Sequence, residues 1–392
     1  MLRSLYSGIS GLRSHQTMLD VTGNNIANVN TTGFKSSSTQ FQDTLSQLQQ
    51  GASGPQATIG GTNPAQVGLG VQVAGIATNF TQGSAQATGK PTDMMISGDG
   101  FFTVKVGNET LYTRAGSFNP DSDGRLVTPD GAILQGWPAV NGVVSTGGAT
   151  GDLTLPLKAV SPAAVTTTSA VTGNLPSDAA VGTELVRDIK VYDAAGKASN
   201  LTLTFTRNAA TGWDISANAA GGAAVTGSVT FNADGTLNTS ALTPVNGIAV
   251  DLAGLTGYAG ITTVSIAEQN GRAAGTLDTF TLSKDGTLIG TFSNGDTEPI
   301  GRIALANFVN PGGLEKAGSS AYRATVNSGT AALGTAGADG LGQLTAGSLE
   351  MSNVDLSQEF TNLIVAQRGF QANARIITTS DEVLQELTNL KR

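Results

Sequence analysis

Apolar residues recur every seven positions at both extreme ends of this chain, with further apolar residues three or four positions away. Such spacing predicts an amphipathic helix of the coiled-coil kind at each end. The residues that define the two stripes are Leu5, Ile9, Leu12, Leu19 and Ile26 in the first, and Leu356, Phe360, Leu363, Phe370, Ala374, Ile377 and Leu384 in the second. Gln16 and Gln367 are polar interruptions within the stripes.

The position of the two stripes bears on how the helices pack. Either helix could pack on the core of its own domain, which is the common arrangement for an arbitrary chain. Each stripe, however, lies at an extreme terminus beside Gly- and Ser-rich sequence, and its only obvious partner is the stripe at the far end. We therefore expect the two helices to pair, in either orientation. A two-helix pair buries one face of each helix, so the sequence further suggests a polymer with the helix ends as subunit joints.

The composition predicts that the rest of the chain is mainly β. Of the 392 residues 52 are Gly, and only 13% are charged, which is typical of strands joined by many turns. Period-two alternation marks strands from residue 67 onward, with Asp-Gly turns at 99–100, 123–124 and 130–131. The predicted fold class is α+β, mainly β, with paired coiled-coil-like terminal helices and two nested β-rich domains.

A second strand-rich block interrupts the first and sets the predicted domain boundaries. Runs such as NLTLTFTR and DTFTLSKDGTLIGTF alternate with period two inside it. The helical core domain is predicted at residues 1–30 and 355–392, and the first β-domain at 67–155 and 299–354. Residues 156–298 form the inserted outer β-domain. Residues 31–66 are a connector, either a flexible linker or a segment ordered only in an assembly.

The charge balance and the lack of cysteine exclude several classes of protein. A formal charge of −8 without a basic run argues against nucleic acid as a partner, because phosphate binding needs clustered Lys and Arg. A chain with no Cys has neither disulfides nor thiolate metal sites. No stretch approaches about 18 apolar residues, and the start lacks the apolar core of a cleaved signal peptide. We therefore expect no membrane insertion and no cleaved signal.

No constellation of residues predicts catalysis, a metal or a cofactor. His15, the only histidine, lies among the first stripe without arranged partners, so a packing or surface role is expected. The run NPDSDGRLVTPDG partly matches a calcium loop but lacks the closing Glu, which favours a hairpin turn. The glycines of GLGVQVAG and GTAGADGLG lack the context of a phosphate loop and indicate turns. The chain is therefore not expected to be an enzyme.

A polar stretch after the first stripe, NNIANVNTTGFK at 24–35, ends the predicted helix and redirects the chain. Asn24, Asn25 and Asn28 suit a helix end, because their amides compete for backbone groups. Gly33, which precedes Phe34, can adopt the positive φ of a C-cap or a turn.

Together with the preceding SLYSGISGLRSHQTMLDVTG, this stretch resembles the N-terminal signature of the bacterial flagellar axial proteins, the rod, hook and hook-associated group. The far end, NVDLSQEFTNLIVAQRGFQANARIITTSDEVLQELTNL at 353–390, is similar to the matching C-terminal signature. The interior segments GDGFFTV, YTRAGSF and LVTPDGAILQGWP look like the β-domain shared by hook and distal-rod members. The length of the chain favours the hook branch over the shorter distal rod proteins.

The resemblance implies an inner tube of terminal helices with β-domains outside it. It implies a structural subunit that self-assembles into a curved, flexible tube, which transmits motor torque to the filament and is needed for motility. The implied partners are further copies of the chain in a helical homopolymer, rod and hook-filament junction proteins, the hook cap and the flagellar type III export apparatus. The implied location is the hook and basal body, outside the cell, reached without a cleaved signal peptide.

The resemblance also makes both stripes, together with Asn24, Asn25, Asn28, Gly33 and Phe34, candidates for self-assembly. The Asn amides and Lys35 are expected to bond to neighbouring subunits, although a helix stop without an intersubunit role is the alternative. A distal rod or hook-associated protein is the alternative within the family. A secreted β-rich adhesin or carbohydrate-binding module is less favoured, because it would not need heptad helices at both ends.

Overall fold

A computed structural model describes residues 2–55, 60–140, 142–156, 160–208, 212–219 and 222–389. The chain divides into two compact units, the first comprising residues 1–155, 281–289 and 299–392 and the second residues 156–280 and 290–298. The two long helices, α1 (Leu2–Ala27) and α2 (Leu356–Asn389), fall within the first unit. A separate helical core domain with the boundaries given above stays a prediction.

Short strands make up most of the remaining described chain. Those that precede residue 156 are β1 (Ser37–Asp43), β2 (Ser46–Gln50), β3 (Ala65–Gly68), β4 (Val71–Thr78), β5 (Ala85–Ala87), β6 (Met94–Ser97), β7 (Phe101–Val106), β8 (Glu109–Thr113), β9 (Asn119–Pro120), β10 (Leu126–Val127), β11 (Ile133–Val140), β12 (Val143–Val144) and β13 (Gly151–Asp152). The next are β14 (Val160–Ser161), β15 (Thr168–Asn174), β16 (Glu184–Tyr192), β17 (Ala198–Arg207), β18 (Gly212–Ala219), β19 (Val225–Phe231), β20 (Leu237–Ala241), β21 (Ala249–Thr256), β22 (Ser265–Gln269) and β23 (Gly275–Leu282). The last are β24 (Thr287–Phe292), β25 (Thr297–Ile303), β26 (Leu305–Asn307), β27 (Glu315–Gly318), β28 (Ala321–Arg323), β29 (Ala332–Gly334), β30 (Gln343–Ala346) and β31 (Ser348–Glu350), with a 3₁₀ turn at Pro311–Gly313 between β26 and β27.

The first unit is built on an antiparallel sheet in the order β25-β11-β7-β8-β28-β27. β26 pairs with β7 and with β29, and two short pairs, β30 with β6 and β31 with β5, join late segments to early ones. In this sheet, strands that precede residue 155 pair with strand residues beyond 299. This is the nested chain order that the sequence predicts.

An aromatic cluster packs against this sheet. Phe101, Tyr112, Phe308 and Tyr322 are buried in it, and Phe80 packs at its edge. The rings meet edge to face, with the centroids of Tyr112 and Phe308 4.8 Å apart, the geometry that aromatic quadrupoles favour. Burial raises the pKa of the Tyr322 phenol well above its ordinary value near 10.

The second unit contains a five-stranded antiparallel sheet in the order β16-β17-β18-β19-β20 and a three-stranded sheet in which β15 lies between β21 and β22. On β17, Leu201, Leu203 and Phe205 are fully buried, while the threonines between them remain partly exposed. Such alternation is what a sheet with one buried face requires. Trp213 of β18 is fully buried in the same apolar core.

The Asp-Gly turns expected at 123–124 and 130–131 are confirmed, whereas residues 98–99 form a bend that leads into Gly100. Gly100, Gly124 and Gly131 have φ values of +125°, +82° and +84°, which side chains with a Cβ rarely adopt. β9 and β10 pair across the NPDSDG run, so the hairpin turn expected there is also confirmed. The Asp121 carboxylate accepts the backbone N–H of Arg125 at 2.8 Å and the Arg125 guanidinium at 2.7 Å.

The segment expected to be a connector contains paired strands. β1 pairs with β4, and β2 pairs with β3. Residues 56–59, between β2 and β3 in sequence, lie outside the described ranges. Every residue of β2 and β3 is exposed, so this pair has backbone hydrogen bonds but buries little side-chain surface. Two strands of this kind have marginal stability of their own.

We predict that Tyr322→Phe reduces the loss of unfolding free energy that the protein undergoes at high pH. The pKa of Tyr322 is higher in the folded than in the unfolded chain, so its contribution to stability is complete below pH 10 and declines as the pH rises beyond it. The difference in unfolding free energy between wild type and the variant should be constant up to about pH 9 and then change by up to about 1.4 kcal/mol per pH unit. Urea titrations from pH 7 to 11 measure it, and parallel curves throughout would contradict the prediction.

Candidate functional site at the helix junction

The two terminal helices pack antiparallel along their length. Gly8 lies opposite Ile376 and Ile377, and Gly369 lies against the His15 ring. Near the other end of the pair, Asn25 donates its amide N–H to a Glu359 carboxylate oxygen at 3.0 Å. The expected pairing of the termini is confirmed, and the orientation that the sequence left open is antiparallel.

The most buried positions in the seam between the helices are mainly small and polar residues. A Cβ placed on Gly11 would lie 2.7 Å from the Asn373 amide, and one on Gly369 would lie 2.5 Å from the His15 ring, so each glycine makes room for a side chain of the partner helix. The buried positions of the two helices are Gly8, Gly11, Ser14, Thr22 and Asn25 in α1, and Glu359 and Ala366 in α2.

The prediction that the apolar stripes form this seam is therefore wrong. Leu5, Ile9, Leu12, Leu19 and Ile26 are only partly buried, as are Leu363, Phe370, Ala374, Ile377 and Leu384, whereas Leu356, Phe360 and Gln367 are exposed. Successive helical residues point about 100° apart, so the leucines one position away from the glycines lie on the flank of the contact. Large apolar side chains that remain exposed on the pair are Tyr6, Phe360, Ile364, Val365, Ile376 and Val383.

The Asn25 side chain holds the segment after α1 in place through hydrogen bonds. Its amide donates to the backbone oxygen of Ser37 at 2.7 Å and accepts the backbone N–H of Ser37 at 3.0 Å, in addition to its bond to Glu359. The side chain thus occupies the position of a neighbouring strand at the start of β1. Because Asn25 is 1% exposed, these bonds are made in a protected environment.

A buried cluster of three charges lies beyond this point. The Lys35 ammonium contacts one oxygen of Glu350 at 2.6 Å, and the Arg114 guanidinium contacts the other at 3.3 Å. Lys35 also donates to the backbone oxygen of Thr81 at 2.7 Å, and the Gly83 N–H donates to Glu350 at 2.9 Å. Burial lowers the pKa of Lys35, while the hydrogen bond to Glu350 opposes that effect. The cluster joins the segment after α1 to the sheet and to the segment before α2.

The expectation that Lys35 bonds to neighbouring subunits is wrong. Its side chain is fully buried, and both of its hydrogen-bond partners lie in the same chain. The physical reason is the cost of placing an ammonium in the interior, which a carboxylate at 2.6 Å offsets within the fold. Asn25 is likewise satisfied within the chain rather than aimed outward.

Gly33 and the residues around it complete the turn between helix and sheet. Gly33 has φ +67°, as expected, its N–H donates to the Glu350 backbone oxygen at 2.8 Å, and a Cβ there would collide with the Ala115 backbone. Asn28 donates its amide to the Asn24 backbone oxygen at 2.9 Å and so satisfies a carbonyl at the helix end. The Phe34 ring lies 5.2 Å from the Lys316 ammonium.

On the other side of the junction, Asn353 and Asp355 lead into α2. Asn353 accepts the Ser36 backbone N–H at 2.8 Å and donates to the Asn79 backbone oxygen at 2.8 Å. Asp355 caps α2 by accepting the backbone N–H of Ser357 at 2.8 Å. Both chain segments that connect the helix pair to the sheet are thus held by side chains whose partners are distant in sequence.

Sequence reasoning missed Glu350, Arg114 and Asn353 as members of this junction. Arg114 and Asn353 lie inside the segments YTRAGSF and NVDLSQEF that carry the family resemblance, but neither motif shows that they meet Lys35 or Ser36 in space. A detectable signal was the presence of a charge, Arg114 in TRAGS and Glu350 in SLEMS, among uncharged residues of a chain in which only 13% of residues are charged.

The described residues give no support for a catalytic or metal site at the junction. No three or more His, Cys, Asp or Glu side chains within the described ranges are grouped as metal ligands. His15 packs beside Phe41, with ring centroids 5.8 Å apart, and against Gly369. Within the same ranges, no helix is long and apolar enough to cross a membrane.

Four family models match residues 5–35 and, with overlaps between them, residues 95–390. They are described as flagella basal body rod protein at residues 5–35, flagellar hook protein FlgE/F/G D1 domain at 95–172, flagellar basal body protein FlaE D2 domain at 162–358, and flagellar basal body rod FlgEFG protein C-terminal at 345–390. They include the two end segments and the interior block that the sequence motifs indicated.

Relatives with full-length alignments and one solved structure agree with these matches. The flagellar hook protein FlgE of Borreliella burgdorferi is 41% identical, and the flagellar basal-body rod protein FlgG of Bacillus subtilis is 36% identical, with 100% of both chains covered in each case. A crystal structure of the Helicobacter pylori flagellar hook protein FlgE2 has a TM-score of 0.52 at 14% identity and covers 68% of this chain and 100% of its own.

We predict that Gly369→Ala destabilises the helix pair, whereas Gly23→Ala in α1 does not. The new methyl group at 369 lies 2.5 Å from the His15 ring and forces the helices apart, at a cost of about 1–3 kcal/mol. At Gly23 a Cβ meets no atom within 4 Å, so the higher helix propensity of Ala should stabilise the variant by about 0.5–1 kcal/mol. Helical circular dichroism during thermal unfolding distinguishes the two, and equal effects would refute the close seam.

We predict that Glu350→Gln destabilises the first unit by about 3 kcal/mol, because two buried cations lose their counter-charge. Glu315→Gln is the matched control, since Glu315 forms an exposed pair with Arg323 at 3.8 Å and its loss should have little effect. Chemical denaturation of both variants measures the difference. Comparable stability of the two variants would show that the buried cluster is not a major stabilising element.

Proposed function

Because the chain belongs to the flagellar hook protein family, whose members are structural subunits of the flagellum, we propose that its terminal helix pair joins it to neighbouring copies in the hook. The observation that carries this proposal is the set of large apolar side chains exposed on the pair. Within α2, Phe360 and Ile364 lie one turn apart, and both of them and the following Val365 have more than half of their surface exposed. Covering such side chains contributes about 1.5–3 kcal/mol each, so adjacent copies are the natural cover in a homopolymer.

The candidate assembly residues divide into two groups. The partly buried or exposed stripe residues are proposed to contact neighbouring copies: Leu5, Ile9, Leu12, Leu19, Ile26, Leu356, Phe360, Leu363, Gln367, Phe370, Ala374, Ile377 and Leu384. Asn25 and Gly33 are proposed to act by orienting the helix pair, because their bonds are made within the chain. Asn24, Asn28 and Phe34 line a surface groove and are proposed to meet a neighbour there.

The buried charge cluster supports a mechanical role for the subunit as part of a curved tube that transmits torque. Torque applied to a tube of helices reaches the sheet of the first unit through the two chain segments at the junction and through direct contacts of α1 with β1 and β4, such as the Val71 N–H that donates to the Ser10 hydroxyl at 3.2 Å. Lys35 and Glu350 belong to different segments and form a salt bridge, so a twisting force on one segment is transmitted to the other. The polar, Thr-rich strands of the second unit are proposed to form weak outer contacts that slide as the tube bends.

Within the flagellum, the chain is proposed to contact the rod, the hook-filament junction proteins and the hook cap, and to be exported by the flagellar type III apparatus. An extracellular location reached without a cleaved signal peptide follows from that route. We also propose that the chain is not an enzyme, which the structural role of its relatives supports. Separate inner helical and outer β domains with the predicted boundaries belong to the same proposal.

Val365→Asp tests the proposed assembly surface. The side chain is 55% exposed on α2, so the charge should be tolerated in the monomer but should block burial against a neighbouring copy. In cells whose own copy is deleted, the variant should be secreted, while electron microscopy should show basal bodies without full-length hooks and soft-agar swimming should be lost. Val140→Asp, at a residue 69% exposed in the β-rich part of the first unit, is the control and should support hooks. Normal hooks from Val365→Asp would refute the proposed surface.

A further inference from the structure

Two valines of the first unit are fully exposed on the loops that follow strands β26 and β28. Val309 follows β26 and is 96% exposed, and Val326 follows β28 and is 104% exposed relative to a reference residue. Single exposed apolar residues are common on protein surfaces. These two differ because the loops that carry them are bonded to each other, so both side chains are presented by one rigid surface element.

Hydrogen bonds hold the two loops together at several points. The Thr325 hydroxyl donates to the Gly313 backbone oxygen at 2.6 Å, and the Asn310 amide donates to the Asn327 backbone oxygen at 3.0 Å. Ser328, which is fully buried, donates to the Thr325 backbone oxygen at 2.9 Å. A Cβ on Gly313 would lie 2.8 Å from the backbone of Asn327, so the two loop backbones are in direct contact. We call residues 309–313 and 325–328 the valine knob.

A rigid apolar element is suited to binding, because little conformational freedom remains to be lost when it is covered. The knob carries no charged residue, so covering it leaves no ion unpaired. Of its polar side chains, Asn310, Thr325 and Ser328 have partners within the two loops, and Asn327 is exposed. The surface that remains for a partner is therefore the pair of valines, Asn327 and the turn at Pro311.

A groove of about 670 Å³ lies elsewhere on the same unit. Val104, Val106 and Leu111 of the β7-β8 pair line it, together with Phe34 and Tyr322. Its rim includes the turn between β27 and β28, residues 318–320. We call this space the hairpin groove. Its lining is mainly apolar, and it is large enough to receive a loop that carries two valines.

The knob and the groove are separate surfaces on either side of the β27-β28 hairpin sequence. Residues 316–322 of the hairpin line the groove, whereas its open end connects to Gly313 and Thr325 of the knob. Two complementary surfaces at separate places on one chain form a heterologous pair, and repetition of such a contact gives an open filament rather than a closed dimer.

We propose that the valine knob of one copy occupies the hairpin groove of the next copy in the hook. The proposal rests on the self-assembly proposed above and names one contact within it. A second copy is the occupant because the chain supplies both surfaces, at separate places on the first unit. The same contact would bring the neighbouring copy against Asn24, Asn28 and Phe34, which line the groove and which the sequence singled out as candidate assembly residues.

The chain has no cysteine, so engineered thiols report this contact without background. The test pair is Val326→Cys with Val106→Cys, on knob and groove respectively, in full-length protein assembled into tubes and treated with a short bis-maleimide. A ladder of covalent multimers is expected from assembled protein and only monomer from disassembled protein. Each single variant should remain monomeric, because the knob of one copy meets the groove, and not the knob, of the next. Val326→Cys with Val140→Cys, whose second site lies outside the groove, should give no ladder.

Tube formation, followed by electron microscopy, separates this contact from self-assembly as a whole. If the double variant forms tubes but no ladder, the knob-and-groove contact is overturned and the proposed self-assembly stands. If unmodified protein forms no tubes, the proposed self-assembly fails, and the contact fails with it. In a second measurement, Val326→Asp should raise the critical concentration for tube formation at least tenfold without lowering the melting temperature of the monomer, whereas an unchanged critical concentration would overturn the contact.

Discussion

The buried contact of Lys35 and Arg114 with Glu350 is the interaction on which the arrangement of the first unit depends. It joins three segments that lie far apart in sequence: the exit from α1, the end of the β8 strand, and the entry to α2. Two cations share one carboxylate, so the cluster has an excess positive charge in a dry environment. Such a cluster is stable only in a well-defined geometry, because each charge must keep its partner. It therefore contributes more to the orientation of the segments than to the net free energy of folding.

The seam of the helix pair determines which side chains are left for other contacts. The Asn373 and His15 side chains occupy the space above Gly11 and Gly369, and the leucines lie on the flanks of the contact. In a stable two-helix coiled coil, large apolar side chains fill the interface between the helices. Here the interface is mainly small and polar, and the large apolar side chains lie beside it. The pair thus retains apolar surface on more than one side. A helical polymer can cover several such faces at once, whereas a simple dimer covers one.

The general plan was predictable from the sequence, because it depends on periodicity and turn chemistry. Heptad spacing located both helices, and Asp-Gly pairs located the turns at Gly124 and Gly131. The seam was not predictable, because apolar periodicity identifies a hydrophobic face without showing what covers it, and a glycine contact carries no hydrophobic signal. The partners of Lys35 were not predictable either. Glu350 is 315 positions away, and only the pairing of β31 with β5 brings its neighbourhood to the start of the chain.

The number of chain segments at the junction bears on how the subunit can carry torque. A helix connected to a sheet by one flexible segment can rotate about that segment at little cost. Here the segment leaving α1 and the segment entering α2 both connect to the sheet, and Gly33, Lys35 and Ser36 of the first bond to Glu350 and Asn353 of the second. Rotation of the helix pair about its axis must therefore break bonds between the two segments. Bending of a polymer needs no such rotation, so a subunit with this junction can be stiff in twist while its outer contacts remain free to slide.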